Sequence, residues 1–207
     1  MEKKTSAYHW YALKIFFNKV FAVEEMMALK GVKTYIPVAR EEVKGEEYLR
    51  LRAILQRDAR TDFEDSRYIF DDPHIYKRVP LIRSLMFIRC LDTDIRKLRH
   101  EIGERGFVYL KADGKTPAAI PDREMDAFRL VADSFQEGIL VFEDDAITRY
   151  REGARVRVKE GPFKGAEGYI KRIRKDRRLI VAIEGVIAIA TAYVPPEMLE
   201  PVPEPED

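Results

Sequence analysis

Residues 153–170 read GARVRVKEGPFKGAEGYI, a run that alternates apolar and basic side chains and then breaks into glycines. Val156 and Val158 alternate with Arg155, Arg157 and Lys159, so a strand here buries one valine row and holds a basic row in water. Gly161, Pro162 and Gly165 force a tight reversal. Gly168 stands just before Tyr169 and Ile170, which open a second strand, and a residue without Cβ permits a bulge or a close backbone approach there. Downstream, strand character continues to Ile173, turns at Lys175 and Asp176, returns over 179–183, breaks at Gly185 and runs on to Val194. Short strands divided by regular turns predict a small barrel.

The chain has 207 residues, 46% hydrophobic and 35% charged, enough for one ordinary domain and a smaller one. A net charge of +1 conceals a separation, because residues 149–178 are crowded with Arg and Lys while residues 197–207 are acidic. The single cysteine, Cys90, excludes an intramolecular disulfide and a multi-cysteine metal site, and fits a reducing cytoplasm. The opening MEKKTSAYHWY lacks the apolar core of a secretory signal, and the apolar run around 186–190 is too short to span a bilayer. A cytoplasmic protein with no membrane partner is expected.

The N-terminal part is organised differently. Residues 9–17 (HWYALKIFF) read as a mostly buried strand, and Asn18 is placed to cap a helix over 19–30, whose apolar side is Val20, Val23, Met26, Met27 and Leu29. Gly31 stops that helix, and residues 32–38 return to strand, with Pro37 marking an edge or an end. Residues 41–77 are dominated by charge and read as an insertion, part helix through Tyr48, Leu49, Leu51, Ile54 and Leu55. One long strand is expected over 79–91, a helix over 92–104 with Ile95, Leu98 and Ile102 inward, and a short strand over 107–111. A last helix over 121–133 buries Met125, Phe128, Leu130 and Val131. Residues 137–152 read as a linker whose apolar half, 139–142, docks on a domain, and the prolines of residues 201–207 predict a disordered acidic tail.

Catalytic chemistry finds little footing. Carboxylates and an imidazole crowd together only at Asp71-Asp72-Pro73-His74, where Asp-Pro punctuation predicts a turn rather than a metal site. His9 and His100 have no evident catalytic companion, Cys90 follows an apolar strand as a small core residue, and no glycine-rich phosphate loop is present. No enzyme, metal or cofactor is expected.

The residues His9-Trp10-Tyr11-Ala12-Leu13, the helical stretch 18–31, Tyr35-Ile36-Pro37-Val38, PLIRSLMFI over 80–88 and PAAIPDREMD over 117–126, joined to the glycine cluster at 153–170, resemble the NusG family of transcription factors. The family pairs an NGN domain with a KOW domain, so the resemblance implies an α+β fold: an antiparallel sheet with flanking helices over 1–136, then a small SH3-like barrel over 153–200. It also implies a factor of transcription elongation or antitermination that binds the clamp helices of RNA polymerase through an apolar patch and suppresses pausing. That patch falls on Ile82, Leu85 and Phe87, supported by Trp10, with Arg83 and Leu85 where the family usually has proline and tyrosine. The insertion lies where relatives approach upstream DNA, which makes Arg50, Arg52, Arg57 and Arg60 candidates for phosphate contact. Intervening Glu46, Glu47, Asp58 and Asp62 favour a solvated helix instead. Lys19 matches a position that lies near the non-template strand in specialised relatives.

In the barrel, Arg155, Arg157 and Lys164 suggest an acidic partner such as nascent RNA, while Phe163 keeps a position that the family uses for contact. Family KOW domains often bind the termination factor Rho or a ribosomal protein; here Glu184 stands in place of an aromatic anchor, which argues against both. The wording of 161–173 and 184–199 is most similar to the UpxY-type antiterminators of Bacteroides capsular polysaccharide operons. The alternatives are a housekeeping NusG-like elongation factor, and an RNA-binding or ribosome-associated KOW protein.

Overall fold

The computed structural model describes residues 7–57, 65–134, 140–143, 153–173 and 175–203. Its N-terminal sheet is built on β1 (Tyr8–Ile15), which pairs antiparallel with β6 (Leu85–Leu91), Tyr11 opposite Ile88 and Leu13 opposite Met86. The strand β2 (Lys33–Tyr35) flanks β6, while β7 (Gly106–Val108) and β8 (Ala119–Ile120) both pair with β1. Both faces of the central strands are covered, which is why they read as continuous apolar runs rather than as an alternation. Tyr11, Leu13, Ile15, Met86 and Ile88 pack against Val20, Val23 and Met27 of α1 (Val20–Ala28) and against Ile95, Leu98 and Ile102 of α3 (Ile95–Ile102). On the opposite face Trp10, Ala12, Leu85 and Phe87 meet Met125, Phe128 and Val131 of α4 (Asp122–Asp133).

Local expectations are corrected in two places. Helix α1 begins after Lys19 without a side-chain cap, because Phe17 and Asn18 both take left-handed backbone angles, and Leu29 lies beyond its end, 91% exposed. The long strand expected over 79–91 is divided between two sheets. Its first residues end β5 (His74–Pro80), and a turn in which the Leu85 N–H donates to the Ile82 carbonyl at 3.2 Å redirects the chain into β6.

The charged insertion holds the helix expected in it and folds into a layer of its own. Strands β3 (Val38–Glu42), β5 and β4 (Tyr68–Asp71) form a three-stranded antiparallel sheet in the order β3-β5-β4, with α2 (Gly45–Arg57) against it through Leu51, Val43 and Ile75. Asp71-Asp72-Pro73-His74 is the hairpin turn between β4 and β5, with Asp71 opposite His74 and a cis bond before Pro73. Arg78 fastens this layer to α1: its guanidinium meets Glu24 at 2.7 Å, both side chains largely buried, and lies 4.9 Å over the Phe21 ring.

The C-terminal unit is a six-stranded antiparallel sheet in the order β14-β10-β11-β12-β13-β9. It comprises β10 (Arg155–Val158), β11 (Glu167–Ile173), β12 (Asp176–Ile183) and β13 (Ile187–Tyr193), with β14 (Leu199–Pro201) at one edge and β9 (Leu140–Glu143) at the other. One segment expected outside the barrel therefore belongs to its sheet, and a second strand runs one residue past the expected boundary at 200. Strand β9, from the expected linker, pairs with β13 and packs Leu140 and Phe142 on Ile180, Ala188 and Ala190. Strand β14 carries the pairing through Pro201, where Val156 is its partner. Gly168 performs the expected close approach: a Cβ there would stand 2.2 Å from the Ile180 carbonyl oxygen. Helix α4 lies between the two sheets, and the apolar cluster beneath it runs on into Val156, Leu179, Val181 and Ile189 of the barrel.

Candidate functional site

The apolar patch is built where β1, β6 and α4 meet. Trp10, Ile82, Leu85 and Phe87 are 2%, 4%, 3% and 0% exposed, so the four side chains expected to form an exposed socket are core. The cause is α4, whose Phe128 ring stands 5.4 Å from Phe87, with Tyr35 at 6.1 Å on the other side. Arg129 continues the stack, 5.2 Å over Tyr35 and 5.9 Å over Trp10, and Lys33 reaches Trp10 at 5.8 Å. The Tyr35 hydroxyl donates to the Asp133 carboxylate at 2.7 Å; burial first, and Asp133 second, push its phenol far above the ordinary value. In the turn leading to β6, Ile82 points inward and Arg83 is exposed.

The insertion arginines do not form one row. Arg50 is exposed on α2, whereas Arg52 meets Asp72 at 2.6 Å and covers the Tyr48 ring at 5.7 Å. Since the Tyr48 hydroxyl also donates to the Pro73 carbonyl at 2.8 Å, Arg52 holds the β4–β5 hairpin. Arg57 ends α2, and Arg60 lies outside the described residues. Lys19 is exposed immediately before α1.

The barrel's basic row is also altered. Arg155 is buried, donates to the Pro203 carbonyl at 2.6 Å and meets Glu167 at 2.7 Å. Arg157 shares that carboxylate at 2.6 Å and reaches Glu200 at 3.4 Å. Strand β14 and Pro203 close over Arg155, one of the basic row expected to stand in water, so Arg155 is a structural ion rather than a surface one. Phe163 is 3% exposed, drawn into the barrel by the turn over 161–165, while Lys164 stays exposed. Glu184 is exposed at the β12–β13 turn.

The sequence also carries a basic spacing on α3. Arg96, Arg99 and His100 recur at i, i+3 and i+4 on α3, along one flank of the buried stripe of Ile95, Leu98 and Ile102. They line an open cleft of about 460 Å³, with Lys115 on its other wall.

Fold and surfaces together define a two-part α+β protein, in which a helix-covered antiparallel sheet is followed by a small antiparallel barrel-like sheet. The family model described as "NusG: Transcription termination factor nusG" matches residues 8–129, more than half of the chain, and the chain belongs to the NusG family. The members of that family are non-enzymatic transcription factors that bind RNA polymerase. Among solved structures the chain is similar to one described as "Domain interaction in Thermotoga maritima NusG", with TM-score 0.44 and 17% identity over 95% of this chain and 98% of that one. Among curated proteins, none matches. Among the described residues, no helix is long and apolar enough to cross a membrane.

Proposed function

We propose that this chain is an antitermination factor that binds the clamp helices of RNA polymerase and suppresses pausing or termination within one long operon, in the manner of the UpxY-type proteins. The observation that carries the reading is the family match across the whole N-terminal sheet, residues 8–129. The specialist role is supported by the wording of 161–173 and 184–199, and by a barrel altered at both contact positions of the family. Glu184 replaces an aromatic side chain at the β12–β13 turn, and Phe163 is buried. Neither offers the apolar anchor that Rho or a ribosomal protein would need. The reading places the NGN domain up to about residue 136 and a KOW domain beyond it, with the linker strand β9 serving as an edge of the KOW sheet.

In this reading the polymerase surface is the one around the 81–84 turn, shaped from beneath by Trp10, Ile82, Leu85 and Phe87 and presented by Arg83. The rival reading, an RNA-binding or ribosome-associated KOW protein, leaned on a solvated row of arginines, and Glu167 neutralises its first two members. Mapping polymerase occupancy across the genome with and without the protein tests the proposal. A downstream loss of polymerase confined to one long operon supports the specialist, and a uniform defect supports a housekeeping factor.

A further inference from the structure

We propose that the cleft between α3 and the turn at residues 111–117 is a phosphate-backbone site for a single-stranded nucleic acid. The site is independent of the polymerase surface and does not rest on the antitermination reading. Its walls come from two elements. Arg96, Arg99 and His100 stand on one face of α3, and Lys115 faces them from the turn, all four exposed around an open volume of about 460 Å³. That volume lies within the ~300–1,000 Å³ usual for ligand clefts.

Two structural explanations for such a cluster fall short. Cations in the last turn of a helix complement its dipole, which accounts for Arg99 and His100. It does not account for Arg96, which lies earlier on the helix, or for Lys115, which lies on a different element. Ion pairing does not account for them either. Among the described residues no carboxylate pairs with Arg96, Arg99 or Lys115, and two acids close to them are engaged elsewhere. Glu101 meets Lys30 at 3.1 Å, and Asp113 accepts from the Lys115 and Thr116 N–H groups at 2.8 Å each and from the Thr116 hydroxyl at 2.6 Å. By turning its carboxylate onto its own backbone, Asp113 both shapes the turn that presents Lys115 and leaves the lysine charge outward.

The shape favours a chain over a small anion. Arg96 and Arg99 are separated by about 4.5 Å along the helix axis, so that two flexible guanidinium groups can address neighbouring phosphates. Gly103, at φ 53° with nothing within 4 Å of a notional Cβ, leaves one end of the cleft clear for a backbone to pass.

The test is fluorescence anisotropy of the full chain with labelled oligothymidylate and oligouridylate of equal length, titrated with salt. Arg99→Gln combined with Lys115→Gln is expected to weaken binding at least tenfold and to flatten the plot of log K against log salt by about 1.4, or roughly 0.7 for each cation lost to a single strand. Arg96→Gln, on the exposed helix face, is expected to act in the same direction, while Arg40→Gln, exposed on β3, leaves binding unchanged. Circular dichroism checks that each variant is folded. Equal binding of the two oligonucleotides supports a contact to the backbone alone, and a preference for one identifies the natural strand. Unchanged affinity and slope in the folded double variant overturn the proposal. So does complete competition by inorganic phosphate at constant ionic strength, which would mark a small-anion site.

Discussion

Phe87 sits between Tyr35 and Phe128 with no exposure, and its role in this chain is that of a keystone for the packing of α4. Phe87→Ala is expected to cost about 3–5 kcal/mol in chemical denaturation, the usual range for emptying an aromatic site in a core. Leu85→Asp is expected to unfold the N-terminal sheet rather than to disable a surface, since it would bury an unpaired carboxylate. At the barrel, Glu167 serves two arginines, one of them buried. Glu167→Gln is expected to lower barrel stability by roughly 3 kcal/mol, because Arg155 loses its charged partner where water cannot replace it. The valine row of β10 was legible by alternation, and so was the position of Gly168. The burial of Arg155 was not, because it depends on Glu167 across the sheet and on a carbonyl 48 residues away at Pro203.

At the scale of elements, the Asp113 turn titrates in a defined window. Hydrogen bonds from Thr116 and then Lys115 hold the carboxyl at about 2, below its ordinary 3.8. A depressed folded value means that the contribution of the turn is complete above about 3.8 and is lost as pH falls through about 2. The Lys115 and Thr116 amides are accordingly expected to shift in NMR spectra over that acid range, and not between pH 5 and 8. The helices α1, α3 and α4 were legible because each carries one apolar stripe at helical spacing. Of the insertion only the helix was legible, since its core is made of Val43, Leu51 and Ile75, brought together by a hairpin and a helix from distant positions and separated in sequence by charges. Strand β9 shows a related limit. Its apolar pattern was visible and docking was expected, yet which edge it would join depends on β13, some 50 residues later.

For the molecule as a whole, α4 is the shared wall, sheet on one side and barrel on the other, so the two units are expected to sense each other's stability. Ala127, buried among barrel-facing residues, tests this. Ala127→Glu is expected to loosen the barrel from α4 and to resolve one thermal transition into two, with the N-terminal sheet retained. The family was legible from short motifs in the sequence, whereas the burial of Trp10, Ile82, Leu85 and Phe87 was not, because it depends on α4, later in the chain, folding over them. The central claim is that the chain works by direct binding to RNA polymerase, and co-elution of the full chain with purified polymerase after nuclease treatment tests it most directly. The account predicts a stable complex that survives the nuclease and is weakened by Arg83→Glu in a variant with unchanged melting; loss of all co-elution once nucleic acid is removed would contradict it.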